Sequence, residues 1–154
     1  MANLWKLLIS IVFVLAIGYV GSIFTTDSIS NWYKTLNKPS FNPPNWLFGP
    51  VWTILYILIG ISLYLVWVSP IQNKTLAYTF FAVQLFLNLL WSFLFFRNHM
   101  IGSAFIEIIL LWFAILMNIL YSYSVSKTSA YLLIPYILWV TFAALLNFSI
   151  WKLN

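Results

Sequence analysis

Five stretches of about twenty residues, almost free of charge, leave this chain few folds to choose from. They run about Leu4–Thr25, Trp46–Ser69, Thr75–Phe96, Ile101–Val125 and Ala130–Trp151. A helix of that length, rising 1.5 Å per residue, crosses roughly 30 Å of hydrocarbon. No water is present there to satisfy the backbone, so only helices or a closed barrel can span. The two-residue alternation of a barrel strand is missing. The expected fold is an all-α membrane protein: a five-transmembrane-helix bundle with a long ordered loop between helices 1 and 2, forming one domain over residues 1–154. Leu7–Phe24 is 18 uncharged residues, longer than a typical signal-peptide core and followed by no A-x-A site, so it reads as a retained first span.

Composition narrows the function. Of the residues, 64% are hydrophobic and 6% charged, against about 25% charged in soluble domains. Two acids, Asp27 and Glu107, stand against seven Lys/Arg. The resulting charge of +5 suits a lipid bilayer with anionic headgroups, and it is too dispersed for nucleic acid. With no cysteine there is no disulfide and no thiolate nucleophile or ligand. His99 is the one histidine and lies in a short loop, so a haem-iron or zinc centre lacks ligands; no resident metal or cofactor is expected. Lys6, Lys74 and Lys127 fall on one side of the membrane and Lys34, Lys38, Arg97 and Lys152 on the other, a balance that does not orient the protein.

The connections at Pro70–Lys74, Arg97–Met100 and Ser126–Ser129 are a few residues each, which predicts sequential spans packed antiparallel in an up-and-down bundle. The first connection, about Thr26–Asn45, is different. Asp27 or Ser28 is placed to cap a short helix carrying Trp32, Tyr33 and Leu36, after which Pro39, Pro43 and Pro44 impose extended backbone. A loop so rich in prolines and aromatics is expected to be ordered over something.

Depth from the membrane face nearest that loop follows from the rise per residue. Asn147 lies about 6 Å in, Trp52 and Glu107 about 9 Å, Asn88 about 12 Å, and Gln84 and Trp139 about 18 Å. Helical spacing puts Gln84, Asn88 and Trp91 on one face, Trp139, Ala143 and Asn147 on another, and Trp52, Tyr56 and Leu63 on a third. Polar side chains in hydrocarbon must face the bundle interior. Gln84 and Asn88 read first as hydrogen-bonding glue between helices and alternatively as ligand contacts. Gly18, Gly21 and Ser22 let a neighbouring helix approach; Pro50 and Pro135, similarly placed in their spans, read as coincidence. Trp5, Trp67, Trp151, Tyr121 and Tyr123 sit at span ends as belt residues. Glu107 is a functional candidate by its depth, or else reaches the headgroups. Trp52 and Trp139 are too deep for a belt. Nine tryptophans exceed what two belts need, and the surplus predicts stacking surfaces for a flat aromatic ligand, with indole N–H groups to meet a carbonyl or carboxylate. No acid–base pair, activated nucleophile or phosphate-binding glycine loop is present, so any reaction must use the ligand's own reactivity.

Trp32-Tyr33, Leu36-Asn37-Lys38-Pro39, Pro43-Pro44 and Phe48-Gly49-Pro50-Val51-Trp52-Thr53-Ile54-Leu55-Tyr56 resemble the signature of the translocator protein family, also called TspO/MBR or the tryptophan-rich sensory proteins. Asn88-Leu89-Leu90-Trp91-Ser92 with Phe95-Phe96 is similar to its third-span motif, and Pro135-Tyr136 with Trp139 and Phe142-Ala143 to its fifth. The match covers essentially the whole chain and is nearest to bacterial members, which implies a multi-pass protein of the bacterial cell membrane. The resemblance implies a cavity beneath the first loop that binds porphyrins such as protoporphyrin IX, and isoquinoline carboxamide or benzodiazepine-type ligands. Some members degrade protoporphyrin in light and oxygen; Trp52 and Trp139 match the tryptophans of that photochemistry, and Tyr33, Trp52, Asn88 and Ala143 match ligand-contact positions. Trp32, Pro43, Tyr56, Gln84, Trp91 and Asn147 complete the candidate site. The sterol-recognition pattern of the fifth span is departed from: Phe148 stands where a tyrosine is expected ahead of Lys152.

The expected function is therefore a membrane receptor for porphyrins and drug-like aromatic ligands in a Trp-lined pocket, with light- and oxygen-dependent porphyrin degradation. The alternative is a non-catalytic tetrapyrrole or lipid binder or transport regulator. A small transporter fits less well, because intramembrane charge and repeat symmetry are nearly absent. Wide apolar outer faces leave room for a homodimer.

Overall fold

The computed structural model describes residues 3–154, which contain helices and no strands. Five helical segments are long and apolar enough to cross a membrane, so the chain is an integral multi-pass membrane protein. The helices are α1 (Leu4–Ser30), α2 (Phe48–Val68), α3 (Thr75–Ser92), α4 (Ile101–Val125), α5 (Lys127–Leu132) and α6 (Ile134–Leu153). Two short 3-10 turns, Tyr33–Thr35 and Asn45–Leu47, punctuate the first connection, and a π-turn, Phe93–Arg97, extends α3.

Three expectations need correction. No separate capped helix starts at Asp27 or Ser28, because α1 continues unbroken to Ser30. Thr25 and Thr26 return their hydroxyls to the carbonyls of Gly21 and Ser22, and the Asp27 carbonyl accepts from the Asn31 backbone and side chain. That stretch is thus the end of a helix, and only Tyr33–Thr35 makes a further turn. The fifth span starts at Lys127 and is divided at Leu133. Pro135 has no N–H for the preceding turn and its ring crowds that turn, so it begins a new helix; like Pro50 in α2, it lies in the first turn, where the missing N–H leaves no helical bond unmade. Finally, α2 and α3 follow one another in sequence yet scarcely touch. Around the bundle the order is α2, α1, α3, α4 and the α5–α6 span, which returns to α2 chiefly through α5.

Closure is tightest on the side away from the long loop. Gly60 lets the backbone of α1 approach so closely that a Cβ there would lie 2.7 Å from Ile11 Cα. On the same half of α2, the Ser62 and Ser129 hydroxyls bond each other and the opposite carbonyls, and Ser69 donates to the Val125 carbonyl. Small polar residues that bring helices together in this way are the usual membrane substitute for a hydrophobic driving force. Toward the loop, α2 makes few contacts with α6 and the bundle opens. At the closed side, Trp5 packs edge-on against Trp67 at 5.5 Å with Lys6 over both rings, as interfacial residues do.

Gly60→Ala should lower stability by about 1–3 kcal/mol, because the backbone of Ile11 cannot yield as a side chain could. Thermal unfolding in detergent checks this against Gly49→Ala, where nothing lies within 4 Å and no loss is expected.

Candidate functional site

A cavity of about 450 Å³ lies where the bundle opens, under the first loop and enclosed by α1, α2, α3 with its π-turn, and α6. Gly18, Ser22, Thr25 and Ile29 form its α1 wall, a small and hydroxylated stripe at helical spacing. The hydroxyls are already spent on their own helix: Ser22 donates to the Tyr19 carbonyl, Thr25 to Gly21, and Thr53 across the gap on α2 to Gly49. Gly18 is needed for shape, since a Cβ there would fall 2.5 Å from the Tyr56 ring.

The facing wall is aromatic. Trp52 stacks on Tyr56 with ring centroids 5.5 Å apart and stands perpendicular to Trp139 at 6.4 Å. Phe48 and Phe142 flank Trp139 at 6.3 and 5.4 Å. The Trp139 indole N–H is buried and donates to no group of the protein. The π-turn adds one residue to the last turn of α3, and both Phe95 and Phe96 are thereby buried against Trp91, with Trp91 stacked on Phe95 at 5.2 Å. π-turns of this kind occur frequently at functional sites.

Behind the aromatic surface runs a polar layer. Tyr56 donates to Asn88 Oδ1 at 2.8 Å, and Asn88 Nδ2 donates to the Tyr136 hydroxyl at 2.9 Å, tying α2, α3 and α6 together. Trp91 Nε1 donates to Asn147 Oδ1, and Asn147 Nδ2 donates to the Ile101 carbonyl of α4. Each bond satisfies a polar group that would otherwise cost several kcal/mol in hydrocarbon.

The first connection roofs the cavity. Tyr33 is 2% exposed and lines it from above. Its hydroxyl donates to Asn42 Oδ1 at 2.6 Å, and the Lys38 ammonium donates to the carbonyls of Tyr33 and Leu36 while lying over the Tyr33 ring. Burial pushes the Tyr33 phenol up from its ordinary value, so it stays a neutral donor.

Of the candidate residues, Tyr33, Trp52, Tyr56, Trp91, Trp139, Ala143 and Asn147 converge on this one cavity. Trp32, Pro43, Gln84 and Asn88 do not form its wall. Trp32 packs against His99 and Phe95 instead, and the Pro43 carbonyl accepts from Asn42. Asn88 is the glue of its first reading, one layer behind Tyr56. Gln84, a turn deeper, is fully buried and neither of its amide atoms has a partner, so it is not the glue expected of it. Glu107 is likewise buried, with both carboxyl oxygens unpartnered; it lies neither at the headgroups nor in the cavity wall. Sequence reading missed the α1 wall and the inward pair Phe95 and Phe96. The stripe of small residues from Gly18 could have shown the first; nothing local announces a π-turn.

Tyr56→Phe leaves Asn88 Oδ1 without its donor. Stability should fall by about 1 kcal/mol, the usual worth of such a bond between membrane helices. Reversible unfolding in mixed micelles measures the loss.

Comparison with known proteins gives a consistent result. The family model described as the TspO/MBR family matches residues 10–152. The chain is 49% identical to "Tryptophan-rich protein TspO" of Archaeoglobus fulgidus over 152 residues, covering 99% of each chain. It is 40% identical to "Protein CrtK" of Rhodobacter capsulatus, covering 89% of this chain and 85% of the relative. With the human "Translocator protein" it shares 35% identity over 88% of this chain and 82% of the relative.

Proposed function

The chain belongs to the TspO/MBR family, and from that premise we propose that it is a membrane receptor for porphyrins, protoporphyrin IX among them, and for drug-like aromatic ligands such as isoquinoline carboxamides and benzodiazepines. The observation that carries the reading is the pair Trp52 and Trp139, perpendicular at 6.4 Å and lining one cavity from two helices. A volume of about 450 Å³ falls among those of small-molecule sites. Perpendicular indoles offer a flat guest one face to stack on and one edge to meet. The free Trp139 N–H suits a ligand carbonyl or carboxylate.

No charged side chain lines the cavity, which leaves no acid or base in contact with a guest. Chemistry here would start from the ligand: a bound porphyrin excited by light reacts with oxygen, and Trp52 and Trp139 donate electrons to the photoproducts or hold the macrocycle as it opens. The porphyrin is then ligand and substrate, with no resident cofactor or metal. The same lack of charged groups also favours the second reading, a non-catalytic tetrapyrrole binder whose output is regulatory.

Titration with protoporphyrin in the dark should quench tryptophan fluorescence and shift the Soret band. Under light and oxygen the band should decay to a defined product, and Trp52→Phe with Trp139→Phe should slow that decay at least tenfold while binding persists. Decay at the wild-type rate in the double variant removes the tryptophans from the chemistry. Binding without any decay leaves the non-catalytic receptor.

A further inference from the structure

On the side away from the long loop, two cations converge on one tryptophan. The Lys6 ammonium lies 5.4 Å from the centre of the Trp67 ring and 5.5 Å from that of Trp5, while the Lys74 ammonium donates to the Trp67 carbonyl at 2.9 Å. Rings and a carbonyl orient an ammonium but carry no net charge to cancel it. Neither acid of the chain is near enough to do so. Asp27 sits in the last turn of α1 and Glu107 in the second turn of α4, both toward the opposite side of the membrane. An ammonium has three N–H donors, so Lys74 keeps two after meeting Trp67.

Beneath these lysines an apolar groove of about 400 Å³ runs between α1 and α3, joined by Leu63 of α2. Phe81 and Leu85 are buried and make its floor, with Phe13 and Phe86 exposed on either side. Helical spacing aligns the groove with the cations on all three helices. On α1, Phe13 and Ile17 follow Lys6 at seven and eleven residues; on α3, Tyr78, Phe81 and Leu85 follow Lys74 at four, seven and eleven; on α2, Leu63 and Trp67 are four apart. From Tyr78 to Leu89 the groove covers about 16 Å at 1.5 Å per residue, which is about the hydrocarbon depth of one leaflet.

We propose that this face is a site for one anionic phospholipid, its phosphate held by Lys6 and Lys74 beside Trp67 and one acyl chain laid in the groove. The occupant follows from charge and length together. A zwitterionic lipid brings its own cation, which cancels the phosphate that the lysines would bind. A second copy of the chain fits poorly: a two-fold axis along the membrane normal sets each residue against its counterpart at the same depth, so Lys6 and Lys74 would face like charges with no acid between them. The site is separate from the cavity and does not depend on what the cavity binds.

Native mass spectrometry of the protein in micelles, titrated with dioleoyl phosphatidylglycerol or with phosphatidylcholine of the same chains, tests the site. One phosphatidylglycerol should bind roughly tenfold more tightly than phosphatidylcholine, and Lys6→Gln and Lys74→Gln should each weaken it roughly fivefold. In the wild type the preference should shrink as salt is raised. Lys127→Gln removes an equal charge from the same side, at the start of α5 and outside the groove, and should change nothing. Ala82→Trp, at an exposed groove position, should expel either lipid. Equal affinity for the two lipids overturns the site, and so does a loss in Lys127→Gln as large as that in Lys6→Gln, which leaves only general attraction to an anionic surface. The chain has no cysteine, so Ala82→Cys reports the rival occupant: efficient disulfide pairing of two copies in phosphatidylglycerol liposomes gives the groove to a second protein and overturns the lipid.

Discussion

Polar groups have no solvent in hydrocarbon, and the places where this chain pairs them determine where the bundle shuts and where it stays open. At the side away from the long loop, Ser62 and Ser129 bond one another, and Gly60 admits the backbone of α1. Nearer the loop the pairs are longer, Tyr56 to Asn88 to Tyr136 and Trp91 to Asn147 to the Ile101 carbonyl. A serine pair draws backbones together. A chain of tyrosine, asparagine and tyrosine holds them apart by the length of its side chains. The cavity follows from that difference in reach, with the paired groups kept behind an aromatic surface.

That arrangement has a chemical consequence. Because the Ser22, Thr25 and Thr53 hydroxyls are satisfied on their own helices, and the Tyr56 hydroxyl and Asn147 amide in the layer behind, the inner surface presents mostly rings, with a buried, unpartnered indole N–H on Trp139. A guest is met by shape and π-contact more than by charge. Gln84 and Glu107, buried without partners, stand outside this scheme, and neither touches the cavity.

The roof is built by the same economy. Tyr33 is held by Asn42 and by Lys38, whose ammonium is occupied with two loop carbonyls, so a lysine near the membrane surface is used to shape backbone. Trp32 on His99 and Asn37 on Asn154 then fasten the segment to elements far away in the chain.

Much of this was legible in residues alone. Five apolar runs without strand alternation dictate five helices, because the bilayer allows the backbone nothing else. Depth and helical period placed Trp52, Tyr56, Trp91, Trp139, Ala143 and Asn147 on inward faces, and the proline-spaced aromatics marked an ordered roof. What could not be read depends on the relation between helices. Which spans are neighbours is not set by short connections, since α2 and α3 are joined by few residues and scarcely touch. The division of the fifth span at Leu133 and the π-turn that turns both Phe95 and Phe96 inward are likewise settled by packing. His99 reads as an ordinary loop residue until the fold lays it on Trp32. Sequence determined the spans, their inward faces and the family signature, because these rest on periodicity and on the cost of polar groups in lipid. Only the tertiary structure decided the order of helices, the void between them and the fastening of the roof, because these depend on contacts between residues far apart in the chain.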